Sequence, residues 1–311
     1  MKKVLLTGAT GFIGRHCVAS LLAKGYEVHA VYLNAQRETS AGVHWHQTDL
    51  LDVGQVTKLM AQVQPTHLLH LAWYAVPGKY WTSSENLRWV QASLNLLQLF
   101  AAHGGRRVVA AGTCAEYDWR YGYCSEKVTP LAPTTLYGSC KHSLRIILEA
   151  FAKQTEISAA WGRIFFLYGP HEYSARLVAS VIRSLLQGEP ARCSHGNQVR
   201  DFLYVQDTAE AFVALLDSDV TGAVNVASGH PVALKDVVNQ VAHQLDRPEL
   251  IQLGAVPAPA NEPPLIVAEV DRLTGEVGWT PKYDLQSGLE VTIKWWHEQL
   301  SSVERRNSNL W

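Results

Sequence analysis

Val4-Leu5-Leu6-Thr7-Gly8-Ala9-Thr10-Gly11-Phe12-Ile13-Gly14 is the stretch whose reading decides the fold. Val4 to Leu6 is a short apolar run suited to a buried strand. It gives way at once to Gly8, Gly11 and Gly14. Arg15 to Lys24 then carries Cys17, Val18, Leu21 and Leu22 at helical spacing and stops at Gly25. Tyr26 to Leu33 reads as a second strand. Strand, glycine turn, helix and strand within about thirty residues make a dinucleotide-binding pattern. Gly8 permits the tight turn, Gly11 lets backbone approach a pyrophosphate, and Gly14 lets helix and strand pack closely. The helix N-terminus offers free N–H groups and the positive end of its dipole.

The end of the second strand bears on which dinucleotide is bound. A site for NAD usually offers Asp or Glu there to the ribose 2′-OH. Val31-Tyr32-Leu33-Asn34-Ala35-Gln36-Arg37 has no carboxylate before Glu38. Arg37 and Arg15 could meet a 2′-phosphate through a guanidinium fork, or could be solvated surface charges. NADP(H) is therefore favoured, with NAD(H) as the alternative.

Working outward, strands and helices keep alternating. His46 to Leu50 ends a third strand, where Asp49 could accept from an adenine amino group or cap the following helix. His67 to Ala72 is a buried strand, Ser93 to His103 an apolar helix, and Arg107 to Ala111 a strand closed by Gly112-Thr113. The expected architecture is α/β, a Rossmann-type doubly wound parallel sheet. Ligands in such sheets sit beyond the carboxyl ends of the strands, where Thr7, Ala72 and Thr113 lie.

Composition narrows the partners. The 311 residues are 47% hydrophobic and 18% charged, enough for a core and too weakly charged for a disordered chain. A net charge of -1 lacks the basic footprint of a nucleic-acid binder. No apolar run approaches the ~18 residues needed to span a bilayer, and the start does not extend into a signal-peptide core. Five cysteines without C-x-x-C spacing make neither a disulfide framework nor a zinc site. His44-Trp45-His46 reads as an ordinary strand with alternating faces, and no metal site is expected. The expectation is a reduced, cytoplasmic protein.

Tyr137-Gly138-Ser139-Cys140-Lys141 opens a helix that continues through Leu144, Ile147, Leu148 and Phe151. Tyr137 and Lys141 share one face. An ammonium beside a phenol is expected to pull the phenol pKa down from about 10. A phenol so tuned can exchange a proton with a substrate oxygen. Thr113, at a strand end, can hydrogen-bond the same oxygen, and Lys141 can hold a nicotinamide ribose.

With these motifs quoted, the sequence resembles an extended short-chain dehydrogenase/reductase of the nucleotide-sugar epimerase/reductase group. The matching stretches cover nearly the whole chain. They are TGATGFIG (7–14), TDL (48–50), HLA (70–72), GTCAEY (112–117), YGSCK (137–141), RIFFLYGP (163–170), RDFLYVQD (200–207), NVASG (225–229) and GWTPKYDLQSGL (278–289). The resemblance implies that Thr113, Tyr137 and Lys141 are catalytic. Cofactor contacts are expected from Gly8, Gly11, Phe12, Ile13, Gly14, Arg15, Arg37, Asp49, Leu50, Leu71, Ala72 and Trp73, besides Tyr137 and Lys141. Substrate contacts are expected from Trp73, Tyr74, Lys79, Thr113, Cys114, Phe166 and Arg200. Arg200 falls in the motif that commonly holds a nucleotide diphosphate; its alternative is an ion pair with Asp201 or Asp207.

Two departures from the family pattern matter. Cys114-Ala115 stand where sugar dehydratases carry an Asp-Glu pair after the catalytic Thr, which removes that reaction's acid and base. Phe166 replaces an Asn that often touches substrate, which disfavours a standard 4-epimerase. The expected function is NADPH-dependent reduction of the C4 keto group of a nucleotide-linked 6-deoxy-4-keto-hexose. The alternatives are an NAD-dependent nucleotide-sugar 4-epimerase and a reductase of a non-sugar carbonyl. Residues 1–165 are expected to form the dinucleotide domain, rejoined by later segments. Residues 166–311 should form mainly a smaller substrate lobe, with a discontinuous boundary and a Pro-rich loop from Pro257 to Pro264. A homodimer is expected, with Trp295-Trp296 either in the lobe core or at an oligomer contact.

Overall fold

The computed structural model describes residues 2–34, 41–260 and 262–308, with side chains as far as residue 302. In chain order the strands are β1 (Lys3–Thr7), β2 (Glu27–Tyr32), β3 (Val43–Gln47), β4 (His67–His70), β5 (Arg107–Thr113), β6 (Tyr123–Cys124) and β7 (Ser158–Ile164). They continue with β8 (Phe166–Tyr168), β9 (Ala191–Arg192), β10 (Val199–Tyr204), β11 (Gly222–Val226), β12 (Pro231–Ala233), β13 (Ile251–Gln252) and β14 (Leu265–Ala268). The helices are α1 (Gly14–Ala23), α2 (Val53–Val63), α3 (Glu85–Ala102), α4 (Leu136–Thr155), α5 (Leu177–Leu186), α6 (Val205–Asp217), α7 (Leu234–Gln244) and α8 (Leu285–Ser308).

Seven strands form one parallel sheet in the order β11-β7-β5-β4-β1-β2-β3. Its central strands are apolar on both sides because helices cover both faces. On one face α1 and α6 bury Cys17, Val18, Leu21, Phe212 and Leu216 against Val4, Leu6 and Val109. On the other, α2, α3 and α4 bury Leu59, Met60, Leu96, Phe100, Leu144 and Leu148 against Leu5, Leu68 and Val108. This is the Rossmann-type doubly wound sheet. Strand β11 and helix α6 come from beyond residue 165 and belong to this sheet and its layer.

A second, smaller sheet has the order β12-β10-β14-β6, with β8 also pairing β10. Helices α5, α7 and α8 pack with it around Tyr168, Ile182, Val241, Leu289 and Trp296. Trp296 is thus in the lobe core, and Trp295 lies against it and against His171.

Local chemistry sets the helix starts. Asp52, not Asp49, caps α2: its Oδ1 accepts from Gly54 N–H at 2.8 Å and Gln55 N–H at 3.1 Å. Asp49 instead closes the turn before it, accepting from Leu51 N–H at 2.9 Å. Thr135 caps α4 by accepting from Gly138 N–H at 3.1 Å. Helix α3 begins at Glu85, ahead of the expected Ser93, because Asn86 is buried with its amide donated to Tyr80 O and Ser83 O. No helix among the described residues is long and apolar enough to cross a membrane. All five cysteines are buried as free thiols.

Candidate active site

The carboxyl ends of β1, β4 and β5 and the start of α4 meet at one end of the large sheet. The glycine turn leaves β1 with Gly8 at φ +71° and Gly11 N–H bonded to Gly8 O at 2.9 Å. A Cβ on Gly8 would lie 2.9 Å from the Ala72 backbone nitrogen, and one on Gly14 would collide with the Gly8 carbonyl. The turn is therefore folded so tightly that only glycine fits, while Gly11 is exposed. Arg15 lies back along this turn, donating to Gly11 O and Thr10 O. Phe12 and Ile13 are half-buried beside it, and Ile13 packs on the core.

A buried chain of hydrogen bonds locks the turn to β4 and α3. Ala72 N–H donates to Thr7 Oγ1 at 3.3 Å, and Thr7 Oγ1 lies 2.7 Å from His70 Nδ1. His70 Nε2 lies 2.9 Å from Ser93 Oγ, which donates to Trp89 O at 2.7 Å. With Ser93 donating onward, the consistent order has His70 Nε2–H donating to Ser93 and Nδ1 accepting from Thr7. Burial pushes the His70 pKa down to about 3, so the ring is neutral, as this order requires. Sequence reading singled out neither His70 nor Ser93.

Thr113 ends β5, and what holds it is Glu116. Glu116 is fully buried. Its Oε1 accepts from Thr113 N–H at 3.0 Å and from Trp161 Nε1–H at 2.7 Å. Its Oε2 accepts from Arg163 Nε–H at 3.0 Å. Arg163 also donates to Tyr117 Oη at 2.9 Å, and Tyr117 donates to Asn225 Oδ1 at 2.8 Å. The network ties β5, β7 and β11 together behind the site. The Thr113 side chain accepts from Ala115 N–H at 3.2 Å and lies near enough to the Tyr137 phenol to influence its ionisation.

Tyr137 sits in the first turn of α4, with its N–H donated to Trp81 O at 3.2 Å. Its ring is boxed by Tyr80 and Trp81, at centroid distances of 4.8 and 5.7 Å, both edge-on. Gly138 lets the helix close on the turn after β5, since a Cβ there would lie 2.5 Å from Ala115 O. Lys141 is buried one helical turn on. Its Nζ donates to Ala111 O at 2.8 Å and lies 3.7 Å from the centre of the Trp73 ring. The indole N–H of Trp73 is in turn held by Asn86 Oδ1 at 2.9 Å.

The expected acidified phenol is not what this arrangement gives. Burial raises the Tyr137 pKa above its ordinary value, and Thr113 opposes that only in part. Lys141 directs its ammonium at a carbonyl and an indole face, and burial lowers its own pKa to about 7. The phenol is therefore protonated at neutral pH. The Cys114 thiol is raised by burial and stays a thiol, while Ala115 is inert.

The remaining expected contacts divide. Leu50 is core, packed with α2 and α3, and Leu71 packs under the glycine turn. Tyr74 and the exposed Lys79 lie on the loop after β4. Arg37 lies outside the described residues. Phe166 lies under Arg200, 5.3 Å from ring centre to guanidinium carbon. Arg200 is buried and pairs with neither Asp201 nor Asp207. Its Nη2 donates to Glu262 Oε1 at 2.9 Å, and Gln198 holds the other carboxylate oxygen at 2.7 Å. Both aspartates cap backbone instead: Asp201 accepts from Ser228, Gly229 and Ala268 N–H, and Asp207 from Lys282 and Tyr283 N–H.

A glycine turn at β1, a Tyr and a buried Lys one turn apart and a strand-end Thr thus meet at one end of an α/β dinucleotide-binding fold. Residues 4–227 match the model of the NAD dependent epimerase/dehydratase family, and the chain belongs to that family. It is 27% identical over 312 residues to UDP-glucuronic acid decarboxylase 1 of Xenopus tropicalis, covering 96% of this chain and 73% of that one. It is 27% identical over 241 residues to dTDP-6-deoxy-L-talose 4-dehydrogenase (NAD(+)) of Aggregatibacter actinomycetemcomitans, covering 76% and 88%. UDP-glucose 4-epimerase of Thermus thermophilus, solved in complex with NAD, superposes with a TM-score of 0.80 at 27% identity, covering 94% and 98%.

Proposed function

We propose that the protein reduces the C4 keto group of a nucleotide-linked 6-deoxy-4-keto-hexose, with NADPH as reductant. The observation that carries this reading is the pair of residues directly after Thr113. The buried Cys114 thiol and the Ala115 methyl offer neither acid nor base. This leaves Tyr137 as the proton-transferring group beside Thr113, which suits carbonyl reduction and not the loss of water. The relative that acts as a 4-dehydrogenase on a dTDP-6-deoxy sugar supports the same chemistry.

The tight glycine turn and the N-terminus of α1 fit a dinucleotide diphosphate. A bound nicotinamide would supply the hydride that adds to the carbonyl carbon. Tyr137 gives its phenolic proton to the carbonyl oxygen, and the Thr113 hydroxyl hydrogen-bonds that oxygen. Glu116 fixes the Thr113 backbone, and Lys141 would hold the nicotinamide ribose from α4. The carbon gains hydride and the oxygen gains a proton, so the product is the alcohol. Tyr137 is left as phenolate and recovers its proton from water. Arg200 is the cation for the substrate diphosphate, once Glu262 gives way. NADPH is preferred over NADH because no carboxylate lies between Val31 and Asn34 and because Arg15 lies along the turn.

A 4-epimerase is the second reading, favoured by the NAD-bound epimerase at 27% identity. The test incubates the protein with 4-keto-6-deoxy sugar nucleotides and monitors NADPH and NADH absorbance. Stoichiometric NADPH oxidation is expected. Tyr137→Phe should lower turnover by ~10²–10⁴-fold with cofactor binding intact. Activity near wild type in that variant refutes the proton donor, and faster NADH oxidation refutes the cofactor choice. Interconversion of C4-epimeric sugar nucleotides without net reduction establishes the second reading.

A further inference from the structure

We propose that Glu27, His29 and His44 form a binding site for a divalent transition-metal ion of the zinc class, at the edge of the large sheet. The site is separate from the catalytic end. Glu27 lies at the start of β2, in register with Lys3, whereas the glycine turn leaves the other end of β1.

Parallel pairing sets His29 of β2 directly beside His44 of β3. Glu27 lies two residues before His29 and so shares its face. One potential ligand atom from each of the three lies within 4.8 Å of the other two. Strand β3 is the sheet edge, so His44 is exposed while His29 is buried. The donor set, two imidazoles and a carboxylate, is one that zinc and its neighbours prefer. Three protein ligands leave a fourth tetrahedral position for water.

The surroundings of His29 supply the outer support that such a ligand needs. Its Nε2 lies 3.0 Å from Glu27 Oε1, and its Nδ1 lies 2.9 Å from His46 Nε2. In the pairing with Glu27, Nε2 carries the proton and Nδ1 accepts from His46. Ligation at Nε2 requires the other tautomer, with Nδ1–H donating to His46 Nε2. Both rings stay neutral through that exchange, so no net proton is released. His46 then orients the ligating ring, as a second partner does in established sites. His44 stacks on His29 at a centroid distance of 4.8 Å and an interplanar angle of 18°. Its exposure lets it swing until the ligand atoms stand about 3.4 Å apart, the tetrahedral spacing for metal–nitrogen bonds of about 2.05 Å. Lys3 Nζ lies 3.9 Å from Glu27 Oε1 but is already bonded to Val63 O at 2.9 Å. Its charge opposes the ion and weakens its binding.

The probe is zinc chloride, titrated calorimetrically into chelator-stripped protein without an added histidine tag. Thermal melts with and without zinc give a readout independent of catalysis. One ion per chain is expected, with low-micromolar affinity and a raised Tm. His44→Ala, at an exposed position, should keep the fold by circular dichroism and weaken binding at least about tenfold. Glu27→Gln should weaken it as well. Absence of low-micromolar binding overturns the site. Binding that both variants leave unchanged also overturns it, by placing the ion on other histidines.

Discussion

Glu172 is buried between the end of β8 and the start of α5, with one carboxylate oxygen lacking any hydrogen-bond partner. Burial raises its pKa to about 8, and the Arg176 charge and the Ala179 backbone only partly oppose that. In the unfolded chain it titrates at about 4.3. Between those values the native state holds a proton that the unfolded state has released. Stability therefore falls as pH rises across that window, by at most about 1.4 kcal/mol per pH unit from this group. Glu172→Gln keeps the protonated shape without the titration. Its Tm should gain on wild type progressively from pH 5 to pH 8; a constant offset in melts across that range would contradict the assignment. Lys141 acts in a separate window. With its pKa lowered to about 7, its contribution improves as pH rises from 7 towards 10.5. Gly8, Gly11, Gly14, Tyr137 and Lys141 were legible in sequence because each belongs to a local spacing with one physical purpose. Glu116 was not, because its partners Trp161 and Arg163 lie 45 and 47 residues away and no periodicity links them. Glu262 was hidden for the same reason, 62 residues from Arg200.

At the scale of elements, the geometry of the candidate site depends on how closely α4 approaches the turn after β5. Thr135 caps the helix, and Gly138 removes the side chain that would hold it off Ala115 O. Gly138→Ala should leave the fold intact, push the first turn outward and separate Tyr137 from Thr113. The expected result is a fall in kcat of about 10²-fold, the penalty of roughly 1 Å misplacement, with little change in cofactor affinity. Unchanged kcat would mean that α4 can yield without moving the phenol. The alternation of strands and helices in the first half was legible because buried parallel strands read as apolar runs between turn signals. The second sheet was not, because β6, β8, β10, β12 and β14 come from distant segments and all but β10 have four residues or fewer. The helix caps show the same limit: the sequence pointed to Asp49, whereas the turn after it makes Asp52 the cap.

For the whole molecule, a buried charge of the smaller sheet sits on Arg200 of β10. This side chain is 2% exposed, and its charge is balanced by a carboxylate on the loop that leads into β14. Glu262→Gln removes that balance and leaves a buried guanidinium short of a counter-charge. The variant should melt lower than wild type and bind a nucleoside diphosphate more tightly, by about tenfold if roughly 1.4 kcal/mol of competition is relieved. Calorimetry with the diphosphate measures this directly. Weaker binding would instead make Glu262 a ligand contact. Wild-type Arg200 thus has a rival that never diffuses away. A carboxylate held on a short tether competes at an effective concentration in the millimolar range. Any anion that seats on Arg200 then shows an apparent affinity equal to its intrinsic one multiplied by the fraction of molecules whose proline-rich strap has let go. Stiffening or loosening that strap would retune ligand affinity without altering a single contact to the ligand.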